Sequence, residues 1–238
     1  QSTERAFDGK TVTKEIINLQ PNDTLNIKFV SNDFFSKDVY NHEDFMFTQD
    51  SLKNEVIYSN EVKFYIKKTD KPQPYLQIER LADGKSFVEA NQRAEKIKYN
   101  FKVVGNTLLL DNYLLTEMAS KYRNQNVELY LYLPVGTIFK ADESVERYDY
   151  SDDEFFNSNY SSANYAYKVE SNQIKCLNCY NFDNDNSDIK SKEINITNEN
   201  DSTETVTVKI NGKVVTETKS GRKGTIKMNK EGILIKTE

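Results

Sequence analysis

Two cysteines, Cys176 and Cys179, form a C-x-x-C, and an acid- and amide-rich run, Asn181 to Asn186, follows almost at once. Three chemistries use such residues. A thioredoxin-type dithiol works because its first cysteine sits at a helix N-terminus, which lowers the thiol pKa. Here Tyr180, Asn181, Phe182, Asp183 and Asn184 follow, which are strand and turn formers. Nearby carboxylates push a thiol pKa up, so redox catalysis is not expected. A tetrahedral zinc site takes C-x-x-C as one half, but the chain has no second pair and a single histidine, His42. A calcium loop of the EF-hand type would start at Asp183. It needs Gly at its sixth position and a bidentate Glu at its twelfth, and those positions hold Asp188 and Ile194. A looser oxygen site built from Asp183, Asp185 and Asp188 is the residual metal candidate. Otherwise no metal and no cofactor are expected. The cysteines are read as structural: small buried apolar residues, or a local disulfide in an oxidising compartment. A bond across so short a loop would stabilise little.

No other stretch carries a catalytic signature. The chain has no G-x-S-x-G, P-loop, H-E-x-x-H or dinucleotide-type glycine pattern. His42, in the acidic aromatic stretch Asn41 to Phe45, reads as a surface-loop histidine. Paired carboxylates for glycoside hydrolysis are available by number only, and no catalytic residue is assigned. The net charge of −5 and pI of about 5.2 argue against a nucleic-acid partner, which normally needs a basic patch. No apolar run approaches the roughly 18 residues of a membrane helix, and no signal peptide is visible. The chain opens on Gln1, so it reads as a fragment or a processed chain.

The elements that must position these residues are mostly strands. Fifteen Tyr and thirteen Phe carry the hydrophobic content, with no Trp, and aromatic and β-branched residues suit pleated, half-buried surfaces. Leu25, Ile27 and Phe29 alternate over Thr24–Val30, giving a strand with one buried side. Stretches 55–68 and 75–81 also read as strands, and 32–50 as a packed aromatic loop. Ser86 and Glu89 form a capping box. Phe87, Ala90, Ala94 and Ile97 then fall on one helical stripe of mostly small residues, so a short helix should lie closely on a sheet. Leu129, Leu131 and Leu133 alternate with Glu128, Tyr130 and Tyr132 in the clearest strand, which Pro134 ends. Stretch 141–164 is acidic, polar and without periodicity. Asn211-Gly212 between alternating runs marks a hairpin near the end. The expected class is all-β with one short helix, and alternation alone leaves a solenoid and a β-sandwich open.

One series goes further. From Leu76 to Asp142 the chain reads ADG…A…A…I-x-Y, then G-x-x-LLLD-x-Y, then YR-x-Q-x-V-x-L-x-LYLP-x-GT. In this order it resembles the C-terminal soluble region of PspC (phage-shock-protein C) domain proteins of Bacteroidetes-type bacteria; the later KCLNC fits less firmly. The resemblance implies a toast-rack fold of stacked strands, related to LiaF- and LiaG-like envelope-stress proteins, with no catalytic residues. It implies a parent chain with membrane helices N-terminal to Gln1 and this domain on the periplasmic side. Residues 1–142 are then expected as a toast-rack-like β domain, 143–164 as an acidic polar loop or linker, and 165–238 as a C-terminal β extension ending in hairpins and packed on the first part.

Two functions compete. The first is a non-catalytic sensing or scaffold domain of a membrane-anchored envelope-stress protein. It would meet other membrane stress-response proteins, or its own copies, through Tyr130 and Tyr132. The alternative is a secreted or surface adhesin-like module, whose Tyr-rich stretch 154–167 would stack on sugars.

Overall fold

The computed structural model describes residues 6–20, 22–36, 45–152, 154–156 and 165–179, and, from residue 180 onward, the backbone of five strands. By contacts the chain separates into two units, Gln1–Cys179 and Tyr180–Glu238.

The first unit begins with β1 (Phe7–Ile16), β2 (Thr24–Val30), the one-turn helix α1 (Asp33–Ser36) and β3 (Phe45–Gln49). It continues through β4 (Glu55–Ser59), β5 (Val62–Thr69), β6 (Tyr75–Gly84) and the helix α2 (Phe87–Glu95). The rest is β7 (Phe101–Val104), β8 (Thr107–Asp111), β9 (Leu114–Glu117), β10 (Asn126–Pro134), β11 (Ile138–Ala141), β12 (Ala166–Val169) and β13 (Ile174–Cys176). The fold is all-β, and among the described residues α2 is the one α-helix of more than a single turn.

Three sheets result. One has four strands in the order β1-β6-β10-β5, one has six in the order β13-β12-β11-β2-β8-β7, and a smaller one is β3-β4-β9. β10 lies parallel to β5 and antiparallel to β6, and β2 lies parallel to both β8 and β11. The inner faces of the two larger sheets meet in one buried cluster. Leu25 and Ile27 of β2, Phe64 and Ile66 of β5, and Leu129 and Leu131 of β10 are its centre. Full burial of each such side chain is worth roughly 1.5–3 kcal/mol. The strict alternation of β10 follows from this: Val127, Leu129, Leu131 and Leu133 are fully buried, and the residues between them are half-exposed.

Helix α2 packs closely because nothing stands between it and the sheet. A Cβ on Gly84 would lie 2.5 Å from the Ala90 amide nitrogen, and one on Gly9 would overlap the Ala90 backbone. Ala90 and Ala94 are its buried face. Ser86 Oγ accepts from the Glu89 amide at 3.2 Å, while the Glu89 carboxylate reaches one residue further back than a standard box, to the Lys85 amide. Phe87 is exposed and meets Phe7 edge-on.

The structure differs from the sequence reading at Phe87, expected on the packed stripe of α2, and in three longer stretches. Stretch 55–68 is two strands in different sheets, broken where Val62 N–H bonds back to Asn60. The expected loop at 32–50 contains α1 and β3. Stretch 143–164, expected as an acidic polar loop or linker, carries a helical element and core anchors over its described part. Asp142 caps a 3-10 helix, Glu143–Tyr148, and Val145, Tyr148 and Phe156 are buried in the main core. Apolar residues there are too sparse to make a periodic pattern, yet each is an anchor. The first unit therefore runs on to Cys179 rather than ending at Asp142.

In the second unit β14 (Ile194–Glu199), β15 (Thr203–Ile210) and β16 (Lys213–Ser220) form an antiparallel sheet, and β17 (Gly224–Asn229) pairs with β18 (Gly232–Thr237). The pairing of Ile210 with Lys213 makes β15 and β16 a hairpin.

Candidate interaction face

The outer face of the four-stranded sheet gathers an unusual set of side chains. Alternation puts Lys10, Val12, Lys14 and Ile16 of β1 on it. The register then adds Leu81, Glu79, Gln77 and Tyr75 of β6, and Asn126, Glu128, Tyr130 and Tyr132 of β10. Lys63, Tyr65 and Lys67 of β5 complete it. Tyr130 stands directly opposite Tyr65, and Tyr132 opposite Tyr75. Their rings stack, with centroids 4.7 Å and 4.6 Å apart and planes within 10° of parallel. That separation is the spacing of neighbouring strands, so the ring faces turn toward each other and their edges and hydroxyls turn outward.

Lysines surround the rings. Lys71 and Lys14 lie over Tyr75, Lys67 over Tyr65, and Lys63 over Tyr150, which neighbours Tyr65. Such contacts are worth about 0.5–1 kcal/mol each at exposed sites. Two carboxylates, Glu79 and Glu128, stand directly opposite each other on adjacent strands, an arrangement that repels. Each has a partner: Lys10 Nζ lies 2.8 Å from Glu79, and the Tyr130 hydroxyl donates to Glu128 at 2.6 Å. Gln77 also donates to Glu79. Glu79 is buried, the one charged residue among the buried side chains of the described residues.

Burial, with the hydrogen bond to Glu128, holds the Tyr130 hydroxyl far above its ordinary pKa, and burial raises Tyr65 and Tyr132 as well. All three stay neutral, so the charged side chains set the charge of the face. Lys10, Lys14, Lys63, Lys67 and Lys71 gather around the rings with Glu79 and Glu128 between them, and the same alternation places the pair Asp8 and Asp83 at one end of the face. The ring region therefore carries more cations than acids and suits contact with acidic groups.

The other residues singled out in the sequence fall elsewhere. Cys176 and Cys179 are joined in a disulfide with Cα atoms 5.6 Å apart, at the end of the edge strand β13, and both pack against the main core. Asp183, Asp185, Asp188 and His42 lie outside the described residues. Of the aromatic stretch 154–167, Phe156 and Tyr167 are buried against Phe139 and each other, so neither is free to stack on a sugar. An open cleft at the ends of β2 and β8 is lined by Phe29, Ser31, Asn112, Glu146, Arg147 and Tyr148. Beside it burial pushes the Asp111 carboxyl up to about 6, partly offset by Lys102. Among the described residues no group of His, Cys, Asp and Glu could hold a metal ion, and no helix is long and apolar enough to cross a membrane.

The sequence reading singled out Tyr130 and Tyr132 but not Tyr65, Tyr75 or the lysines. Their meeting depends on register between strands some sixty residues apart, which no local pattern contains.

No curated protein and no solved structure matches the chain. One family does: its description is "ToastRack found in some PspC", and it matches residues 48–185, which include β4 to β13 and the strands β5, β6 and β10 of this face. That is more than half of the 238 residues, and the chain belongs to the family of toast-rack domains found in some PspC proteins.

Proposed function

We propose that this chain is a non-catalytic interaction domain of a PspC-type envelope-stress protein, and that it works through the tyrosine–lysine face. The observation that carries the reading is the half-buried face of Tyr65, Tyr75, Tyr130 and Tyr132 ringed by lysines on a rigid four-stranded sheet. Tyrosine is favoured at protein contacts because it offers a large apolar body and a polar tip at low entropic cost. The partners are other membrane stress-response proteins or further copies of the domain; nucleic acid is not one. The parent protein is membrane-anchored, with this domain on the extracytoplasmic side. The Cys176–Cys179 disulfide supports an oxidising compartment.

A secreted glycan-binding module is the weaker reading. Sugars stack on ring faces, and on this sheet the ring faces are occupied by neighbouring rings and lysines.

The experiment is a chromosomal Tyr65→Ala/Tyr130→Ala substitution in the native host, followed by the transcriptional response to envelope damage. Loss of the response at normal protein level is expected. A full response from the variant removes the face from the function.

A further inference from the structure

The two edges of the four-stranded sheet are treated differently. The β5 edge is closed: Tyr150 N–H donates to the Phe64 carbonyl at 2.8 Å, and Ile66 N–H donates to Ser151 Oγ at 2.9 Å. The β1 edge is open over most of its length. Lys10 N–H points away from β6 and is capped by Asn91 of α2 at 3.0 Å, while Ile17 N–H points inward to the Pro74 carbonyl. Antiparallel alternation then turns the amides and carbonyls of Val12, Lys14 and Ile16 outward. Among the described residues nothing pairs with them.

This edge carries few of the usual defences. β1 holds an unbroken register of ten pairs with β6, with no bulge and no proline. Val12 is 48% and Ile16 67% exposed. A long, regular edge with apolar side chains is a template for another strand. The remaining defence is charge. Lys10 is already held by Glu79, which leaves Lys14 as the unneutralised cation between Val12 and Ile16.

We infer that β1 accepts an extended acidic segment of a partner protein as a fifth strand, with the pattern apolar-x-acid-x-apolar. The apolar positions cover Val12 and Ile16, and the acid faces Lys14. The two intervening positions lie beside Thr13 and Glu15 and take small hydroxyl residues. The pattern is its own reverse, so parallel and antiparallel approaches both satisfy it. A second copy of the chain fits poorly in the register that covers both apolar residues. Pairing Val12 with Ile16 of another copy sets Lys14 against Lys14, and like charges directly opposite destabilise a sheet. The site is backbone in origin and does not depend on Tyr65 or Tyr130.

The test is fluorescence anisotropy of the full chain with a short labelled peptide, TVTETVT, against its lysine counterpart TVTKTVT. Saturable binding of the glutamate peptide is expected, with the lysine peptide weaker by roughly fivefold to tenfold. Lys14→Glu should reverse that preference. N-methylation of the peptide amides along one edge should abolish binding and along the other leave it intact, a comparison that leaves the protein unaltered. Absent binding, equal binding of the two peptides, or indifference to N-methylation on both edges overturns the inference. So does a dimer in sedimentation that Lys14→Pro dissolves, because it would make a second copy the occupant.

Discussion

Replacing Lys10 by methionine tests whether the ion pair on the outer sheet face is structural. Lys10 Nζ lies 2.8 Å from Glu79; the lysine side chain is 52% exposed and the glutamate 9%. Two limits bracket the effect. A fully exposed pair contributes about 0–1 kcal/mol, and stripping one partner from a fully buried pair costs about 3–5 kcal/mol. The carboxylate here is near the buried limit and the ammonium is not. Gln77 still donates to Glu79 after the change, but Glu128 remains directly opposite with the same charge. A loss of about 1–2 kcal/mol follows, and each kcal/mol lowers Tm by roughly 2–4 °C for a unit of this size. The assay is urea unfolding at low salt, followed by tyrosine fluorescence, since the chain has no Trp. In a double-mutant cycle, Glu79→Gln should recover most of the loss in the Lys10→Met background. The pH dependence has a definite sign. The hydrogen bond and charge of Glu79 raise the Lys10 pKa in the folded state, so its contribution is complete below 10.5 and fades as pH rises through the raised value. The variant and the wild type should therefore converge only in strong alkali. Equal stability at pH 7, or zero coupling between the two substitutions, refutes the reasoning.

Two further outcomes follow from the packing and the buried acid. Gly84→Val should cost about 1–3 kcal/mol in urea unfolding, because its first added carbon already meets the Ala90 backbone; full stability would show that α2 can lift off the sheet. Asp111, pushed up to about 6 by burial, contributes stability that is complete below its ordinary value of 3.8 and is lost as pH rises through about 6. Asp111→Asn should therefore gain on the wild type between pH 4 and pH 7, and parallel pH profiles for the two proteins would contradict this.

Helix α2 and strand β10 were legible in the sequence because their signals are local. A cap and a small-residue stripe within twelve residues define the helix, and leucine alternation within nine defines the strand. The Tyr130 and Tyr132 side was visible as a strand face, but not what lay beside it. Tyr65 and Tyr75 become neighbours of that face only through pairing with β5 and β6. The 3-10 helix Glu143–Tyr148 was hidden for another reason: two buried anchors, Val145 and Tyr148, are too few to outweigh the acidic composition around them. The split of 55–68 into β4 and β5 rests on a single bonded turn at Asn60.

The place of β10 between β5 and β6 bears on how the domain reaches its native state. β5 and β6 are successive and antiparallel, joined by the short connection Asp70–Pro74, and yet they do not touch as a pair. The local, fast option for such strands is a hairpin, which forms in about 1–10 μs. Were it to close, β10 would have no slot and would have to pry it open. Pro72 and Pro74 in the connection stiffen it and disfavour a tight turn. The order β6-β10-β5 requires that this hairpin stay open for β10, which begins about forty residues beyond β6, and the two prolines work against its closing.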